Sequence, residues 1–207
     1  MNAAQSEQWQ VLVERPLTFV RERWLAECLQ RDVDPATLAS LRDSSRFATR
    51  FEQLLNAHFK LHPLPRLEQP AQDDLAVLLL TDKDFARLPR LCGAVWHAAT
   101  LSREIRGDVV SEYRQALGDD AFSLALAQRH LAGAANLLRT PVELVQAIDR
   151  DGACCVAAWL EAQPIELQAW LRLRLDIAQN QPQPGDERQV TVVQTVARLL
   201  TGSDDHE

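Results

Sequence analysis

Glycine is scarce in this chain, seven residues in 207, and lysine is scarcer, since Lys60 and Lys83 are the only two among 22 basic residues. No GxGxxG, GxxxxGK[ST] or GxSxG pattern occurs, which removes the common phosphate cradles and the nucleophile elbow. The four cysteines, at 28, 92, 154 and 155, form no CxxC pair. Adjacent Cys154 and Cys155 are poorly placed to bridge each other, so all four read as reduced, buried thiols. No apolar run approaches the roughly 18–20 residues that span a bilayer; Leu75 to Leu80 and Ala153 to Leu160 are far shorter. The first seven residues lack the basic start and apolar core of a secretory signal, so a cytoplasmic location is expected. A net charge of -7 denies the chain the basic field that nucleic acid requires.

What is present is ordinary globular composition, 46% hydrophobic and 25% charged, with apolar residues recurring at helical spacing almost throughout. The expectation is an all-α fold, a compact orthogonal bundle of about ten helices in a single helical domain over residues 1–207. Pro16 divides a first helical region, after which Leu17, Val20, Trp24 and Cys28 share one face. Asp34-Pro35 reads as an N-cap with Pro at the first helical position. Phe47, Phe51, Leu54, Leu55, His58 and Phe59 line one side of the next helix. Prolines at 63, 65 and 70 make 61–70 an extended connector.

Phe85, Leu88, Cys92, Val95, Trp96 and Ala99 keep helical phase across Pro89, which favours a kink or two nearly collinear helices. Gly107-Asp108 and Gly118-Asp119 each look like a C′ glycine followed by an N-cap. Thr140-Pro141-Val142-Glu143 is a capping box, and a further helix carries Cys155, Ala158 and Trp159. Residues 171–177 alternate apolar and basic, which suits either one short extended segment or the end of the Ile165 to Trp170 helix. A flexible joint at 179–186 leads into a last helix over about 187–200, then a disordered acidic tail at 202–207.

The residues offer few candidates for chemistry. His58 and His62 are spaced i, i+4 as a zinc pair would be, but Pro63 ends the helix and no further ligands follow, so a surface pair is the reading. His97 suits a general base or, without a nucleophile in view, a hydrogen-bonded core histidine. Cys154 and Cys155 sit near a helix where a thiolate would be stabilised, yet Cys155 shares a face with Ala158 and Trp159 and reads as inert. Asp149, Asp151, Glu161, Asp73 and Asp74 offer carboxylates better explained by helix dipoles. Trp9 and Trp170 are candidate interface anchors, and Arg172 and Arg174 weak contact candidates. No catalytic, cofactor or metal residue is assigned, no cofactor is called for, and the protein-binding residues are left unassigned.

Four collinear blocks carry a resemblance. They are Arg15-Pro16-Leu17-Thr18-Phe19-Val20 with Trp24-Leu25; Leu41-Arg42-Asp43-Ser44-Ser45 through Leu54-Leu55 to Phe59-Lys60-Leu61; Leu78-Leu79-Leu80 with Leu88, Leu91-Cys92-Gly93-Ala94-Val95-Trp96-His97, Leu101 and Ile105-Arg106; and Ala157-Ala158-Trp159-Leu160 before Trp170-Leu171-Arg172-Leu173-Arg174-Leu175. Together they resemble the SctK (YscK/PscK) family, the accessory component of the type III secretion sorting platform of Gram-negative bacteria. The resemblance implies a non-enzymatic cytoplasmic adaptor beneath the inner membrane. Its partners would be the forkhead-associated-like cytoplasmic domain of the ring protein SctD and the pod protein SctQ, and through the latter the export ATPase complex, with no nucleic acid and no direct membrane insertion. Two other classes stand beside it: a secretion chaperone or regulator binding a partner helix in an apolar groove, and a small helical ligand-binding protein or enzyme using His97 with Cys92 or Cys154.

Overall fold

A computed structural model of the chain describes residues 3–29, 33–64, 70–137, 139–174 and 186–203. Among these residues the fold is all-α, with twelve α-helices and no strand. The chain forms two compact units, one built from residues 1–71 and 163–178, the other from 72–162 and 179–207.

The first unit holds α1 (Ala3–Glu14), a 3-10 turn over Pro16–Phe19, α2 (Glu22–Leu29), α3 (Pro35–Asp43), α4 (Ser45–Phe59) and α11 (Ile165–Arg174). Pro16 sits at the first position of the 3-10 turn, where its missing N–H costs nothing. Asp34 caps α3 as expected, accepting from the Thr37 N–H at 3.0 Å and its hydroxyl at 2.6 Å. Lys60 ends α4 in the left-handed region, at φ 55°. α11 joins this core from far along the chain. The Arg21 N–H donates to the Leu173 carbonyl at 3.1 Å, Arg21 Nε donates to the Arg174 carbonyl at 2.6 Å, and the Trp170 indole donates to the His62 carbonyl at 2.8 Å.

Residues 171–174 are helical, so of the two readings of the alternating segment the helix holds there; 175–177 lie outside the described residues. Leu167, Trp170, Leu171 and Arg174, at i, i+3, i+4 and i+7, are all buried on the helical period. Burial of Leu173 as well produces the apparent period of two. Of the Pro-rich connector, 65–69 lie outside the described residues, while Leu61 and Leu64 are buried.

The second unit holds α5 (Gln72–Leu78), α6 (Asp82–Trp96), α7 (Ala98–Leu101), α8 (Gly107–Leu117), α9 (Asp119–Ala127), α10 (Pro141–Glu161) and α12 (Glu187–Ser203). α6 is one continuous helix with Pro89 inside it, capped by the Thr81 hydroxyl. The capping box at Thr140 forms, with the Thr140 N–H donating to Glu143 Oε2 at 2.8 Å, and it opens a single helix of 21 residues where two were expected. Gly152 lies in the middle of that helix. It faces Gly93 of α6, and the backbones meet: a Cβ on either glycine would fall 1.9 Å from a carbonyl oxygen of the other helix. α10 packs on α6 more extensively than any other helix pair.

Gly118, at φ 93°, ends α8 with the positive φ expected of a glycine there, but it is also the N-cap of α9, so Asp119 is the first helical residue instead of the expected N-cap. Gly107 is not a C′ glycine, because α8 begins at Gly107 itself and Arg106 is the flanking residue. Asp186 precedes α12, while the rest of the joint at 179–186 and positions 204–207 of the expected tail lie outside the described residues. Gly202 and Ser203 finish α12 instead of opening that tail, and the Thr201 hydroxyl bonds back to the Ala197 carbonyl at 3.2 Å.

Candidate functional site

The groups suited to chemistry are tied into the helical framework. His97 follows α6 and is 1% exposed, with Nε2 2.8 Å from Asp151 Oδ2 on α10 and Nδ1 buried without a hydrogen-bond partner. Burial holds the ring below its ordinary pKa and outweighs the hydrogen bond and charge of Asp151, which act upward; the Arg139 and Arg150 charges reinforce the lowering. The ring is therefore neutral near pH 7, and the contact is a hydrogen bond to a carboxylate instead of an ion pair. Asp151 is pushed up by burial, but hydrogen bonds from Arg150 and His97 more than offset this and leave it below the ordinary carboxylate range. Of the two sequence readings of His97, the hydrogen-bonded core histidine matches this geometry.

A stability slope follows. The unfolded chain takes a proton at His97 near pH 6.5, where the native chain does not, so stability falls as pH drops below about 6.5 and levels out only below the depressed native value. Urea midpoints of the wild type and of His97→Gln, followed from about pH 7.5 to about pH 5.5, are expected to converge or cross because only the wild type carries this loss. Parallel curves would refute the assignment.

Cys28, Cys92 and Cys155 are buried and Cys154 is half-buried. Burial pushes every one of these thiols up, Cys28 to about 11 and Cys155 to about 12, which removes the thiolate at neutral pH. His58 is on α4, 3.8 Å from Glu27, while His62 lies past the helix end, so the i, i+4 face does not form. Asp74 is structural: its Oδ1 accepts from the Trp159 indole at 2.8 Å and from Gln194 at 2.9 Å, joining α5, α10 and α12. Asp149 forms a two-bond pair with Arg90, both at 2.9 Å.

Trp9 and Trp170, offered above as interface anchors, are instead 3% and 0% exposed and belong to the core. Arg174 is likewise buried, its guanidinium 4.7 Å over the Phe19 ring, which leaves Arg172 as the exposed member of that pair. Among the described residues no helix is long and apolar enough to cross a membrane.

An open feature among the described residues of the first unit is a groove of about 540 Å³ lined by Leu29, Leu41, Phe47, Arg50, Phe51, Gln53 and Leu54. Phe51 and Leu55 turn into the core, at 6% and 0% exposure, whereas Phe47 and Leu54 remain 47% and 42% exposed. The apolar side of α4 expected from sequence is thus divided, one edge buried and one edge open. A lone sequence shows only that the helix is rich in apolar positions; which of them are left open depends on how α2 and α3 pack beside it.

Two proteins compare with the chain over most of its length. It is 31% identical to the nodulation protein NolU of Sinorhizobium fredii (strain NBRC 101917 / NGR234) and 31% identical to that of Rhizobium fredii, with 73% of this chain and 79% of each relative covered. No family model and no solved structure matches it.

Proposed function

The chain belongs to the NolU family of nodulation proteins, and from that premise we propose that it is a non-enzymatic adaptor of a type III secretion sorting platform. In this reading it sits at the cytoplasmic face of the inner-membrane apparatus and links the cytoplasmic domain of the SctD-like ring protein to the SctQ-like pod protein, and so to the export ATPase complex. The support is threefold. The four collinear blocks resemble the SctK family along nearly the whole chain. The fold is all-α, with apolar stripes buried and charged faces outward, as suits a protein that works through its surface. The observation that carries most weight is that the reactive groups serve packing, His97 bonded to Asp151 and the thiols held protonated, while an apolar groove stands open on α4.

Deleting the gene is expected to reduce export of type III substrates to background, with restoration by the wild-type gene and by Cys154→Ser. The purified protein is expected to capture SctD-like and SctQ-like proteins. Capture of an exported substrate in their place would make it a chaperone, and turnover of a small molecule by the purified chain would end the adaptor reading.

A further inference from the structure

On the adaptor reading, the groove on α4 is where a partner would engage, and its chemistry says which kind. Phe47, Phe51 and Leu54 stand at i, i+4 and i+7, the spacing of a core-facing stripe, yet the first and last are nearly half exposed. Leu41 of α3 and Leu29 at the end of α2 supply the other walls. Its volume of about 540 Å³ falls within the roughly 300–1,000 Å³ of cavities that take apolar groups of molecular size.

Charge around the groove is net positive: Asp43, exposed at the end of α3, pairs with Arg42 at 3.1 Å, which leaves Arg46 and Arg50 in excess. At about 100° per residue, Arg46, Arg50 and Gln53 fall along one flank of the stripe, and Glu52 falls on the far side of the helix. Arg50 has no ion pair among the described residues, and Arg46 only overlies its neighbour Phe47, at 5.8 Å. Arg42, Arg87, Arg90, Arg106, Arg114 and Arg150, by contrast, are each paired with a carboxylate. An acidic chain has carboxylates to spare, and it leaves these guanidiniums open beside its exposed apolar groove.

We propose that the groove lined by Phe47, Phe51, Leu54 and Leu41 receives an amphipathic helix of a partner protein, whose apolar stripe enters the groove and whose acidic flank pairs with Arg46 and Arg50. An apolar stripe of matching spacing fills the pocket, and carboxylates on its edge meet the donor forks without desolvating any basic group of the partner. A basic helix is repelled, and a second copy of this chain, itself acidic, is the competing occupant that the cross-linked product distinguishes.

Replacing Phe47 by p-benzoylphenylalanine and irradiating living cells tests this, with the attached peptide read by mass spectrometry. The expected product joins position 47 to a segment of another protein that has apolar residues at i, i+3/i+4 and i+7 and Asp or Glu beside them. Arg50→Glu should reduce its yield about tenfold, and an acid-to-Arg change in the attached segment should restore it. Attachment to a second copy, to lipid or to a basic segment overturns the proposal, as does no attachment or a yield indifferent to Arg50→Glu. A measurement on the unmodified protein guards against misfolding. Two labelled peptides of about four helical turns, each with a leucine face and flanked by glutamate or by lysine, are titrated by fluorescence anisotropy. The glutamate peptide should bind at least about tenfold more tightly at low salt, and equal binding overturns the proposal. The two readings fail separately. If export requires the gene but not Phe47, Leu54 or Arg50, the groove inference falls alone; if the attached acidic helix belongs to a protein outside the secretion machinery, the adaptor reading falls alone.

Discussion

Gly93→Ala is expected to destabilise the second unit by about 2–4 kcal/mol and to lower its thermal midpoint by several degrees. The new Cβ would lie 1.9 Å from the Ile148 carbonyl oxygen and 2.8 Å from the carbon of the same group. Both are backbone atoms in the middle of α10, so neither can swing aside as a side-chain tip would. α6 and α10 must separate by more than about 1 Å, and tightly packed interiors do not absorb that without losing contacts elsewhere. Intrinsic propensity acts the other way, because alanine in a helix interior is favoured over glycine by about 1 kcal/mol.

Steric cost exceeds propensity here because the same crossing aligns the Arg90–Asp149 pair and the His97–Asp151 hydrogen bond, both of which span the two helices. Gly152→Ala should behave alike, its Cβ meeting the Pro89 carbonyl oxygen at 1.9 Å. The double variant should cost less than the sum of the two, since helices already forced apart leave room for the second methyl. A midpoint unchanged or raised by Gly93→Ala would mean that propensity prevails and that the close crossing is wrong.

The contrast between these glycines and the capping residues explains how far the fold is legible from sequence. Asp34-Pro35 and Thr140-Pro141-Val142-Glu143 act within four residues of themselves, and both form the caps that their spacing predicts. Periodicity likewise places Phe51, Leu55, Phe85 and Leu88 inside. Gly93 and Gly152 answer to each other across 59 residues of chain, and a single sequence reads each only as a weak point in a helix. For the same reason one continuous α10 was hidden: glycine suggests a break unless a neighbour needs its missing Cβ. Alternation at 171–174 misleads in the opposite direction, because a helix buried on most of its surface has no polar face to mark its period.

The candidate site is legible only in part. The sequence places Phe47 and Leu54 on the same apolar side of α4 as Phe51 and Leu55 but does not separate the exposed pair from the buried one, since exposure of a large side chain is decided by what packs beside it. His97 is recognisable as a polar residue at the end of an apolar helix, while its partner Asp151 cannot be singled out among the acids nearby. That Arg46 and Arg50 have no ion pair among the described residues is also invisible from sequence, because in a chain with 29 acidic residues every arginine has a candidate partner within reach.

Trp170→Ala is expected to cost about 3–5 kcal/mol, within the range for emptying a buried aromatic site. The indole is 0% exposed and its N–H donates to the His62 carbonyl at 2.8 Å, tying α11 to the segment that follows α4. Trp170→Phe separates the two contributions: it keeps most of the buried ring and removes the donor, for about 1–2 kcal/mol. Arg172→Ala, two residues along on the exposed side of the same helix, should stay within about 0.5 kcal/mol of the wild type. Urea unfolding of the three variants measures this order. Hydrogen exchange adds the location, with protection expected to fall first in α11 and in the 3-10 turn at Pro16–Phe19 against which it packs. An interface anchor makes the opposite forecast, a Trp170→Ala protein as stable as Arg172→Ala but deficient in partner binding. Equal urea midpoints for those two variants would therefore return Trp170 to the surface and remove α11 from the core of the first unit.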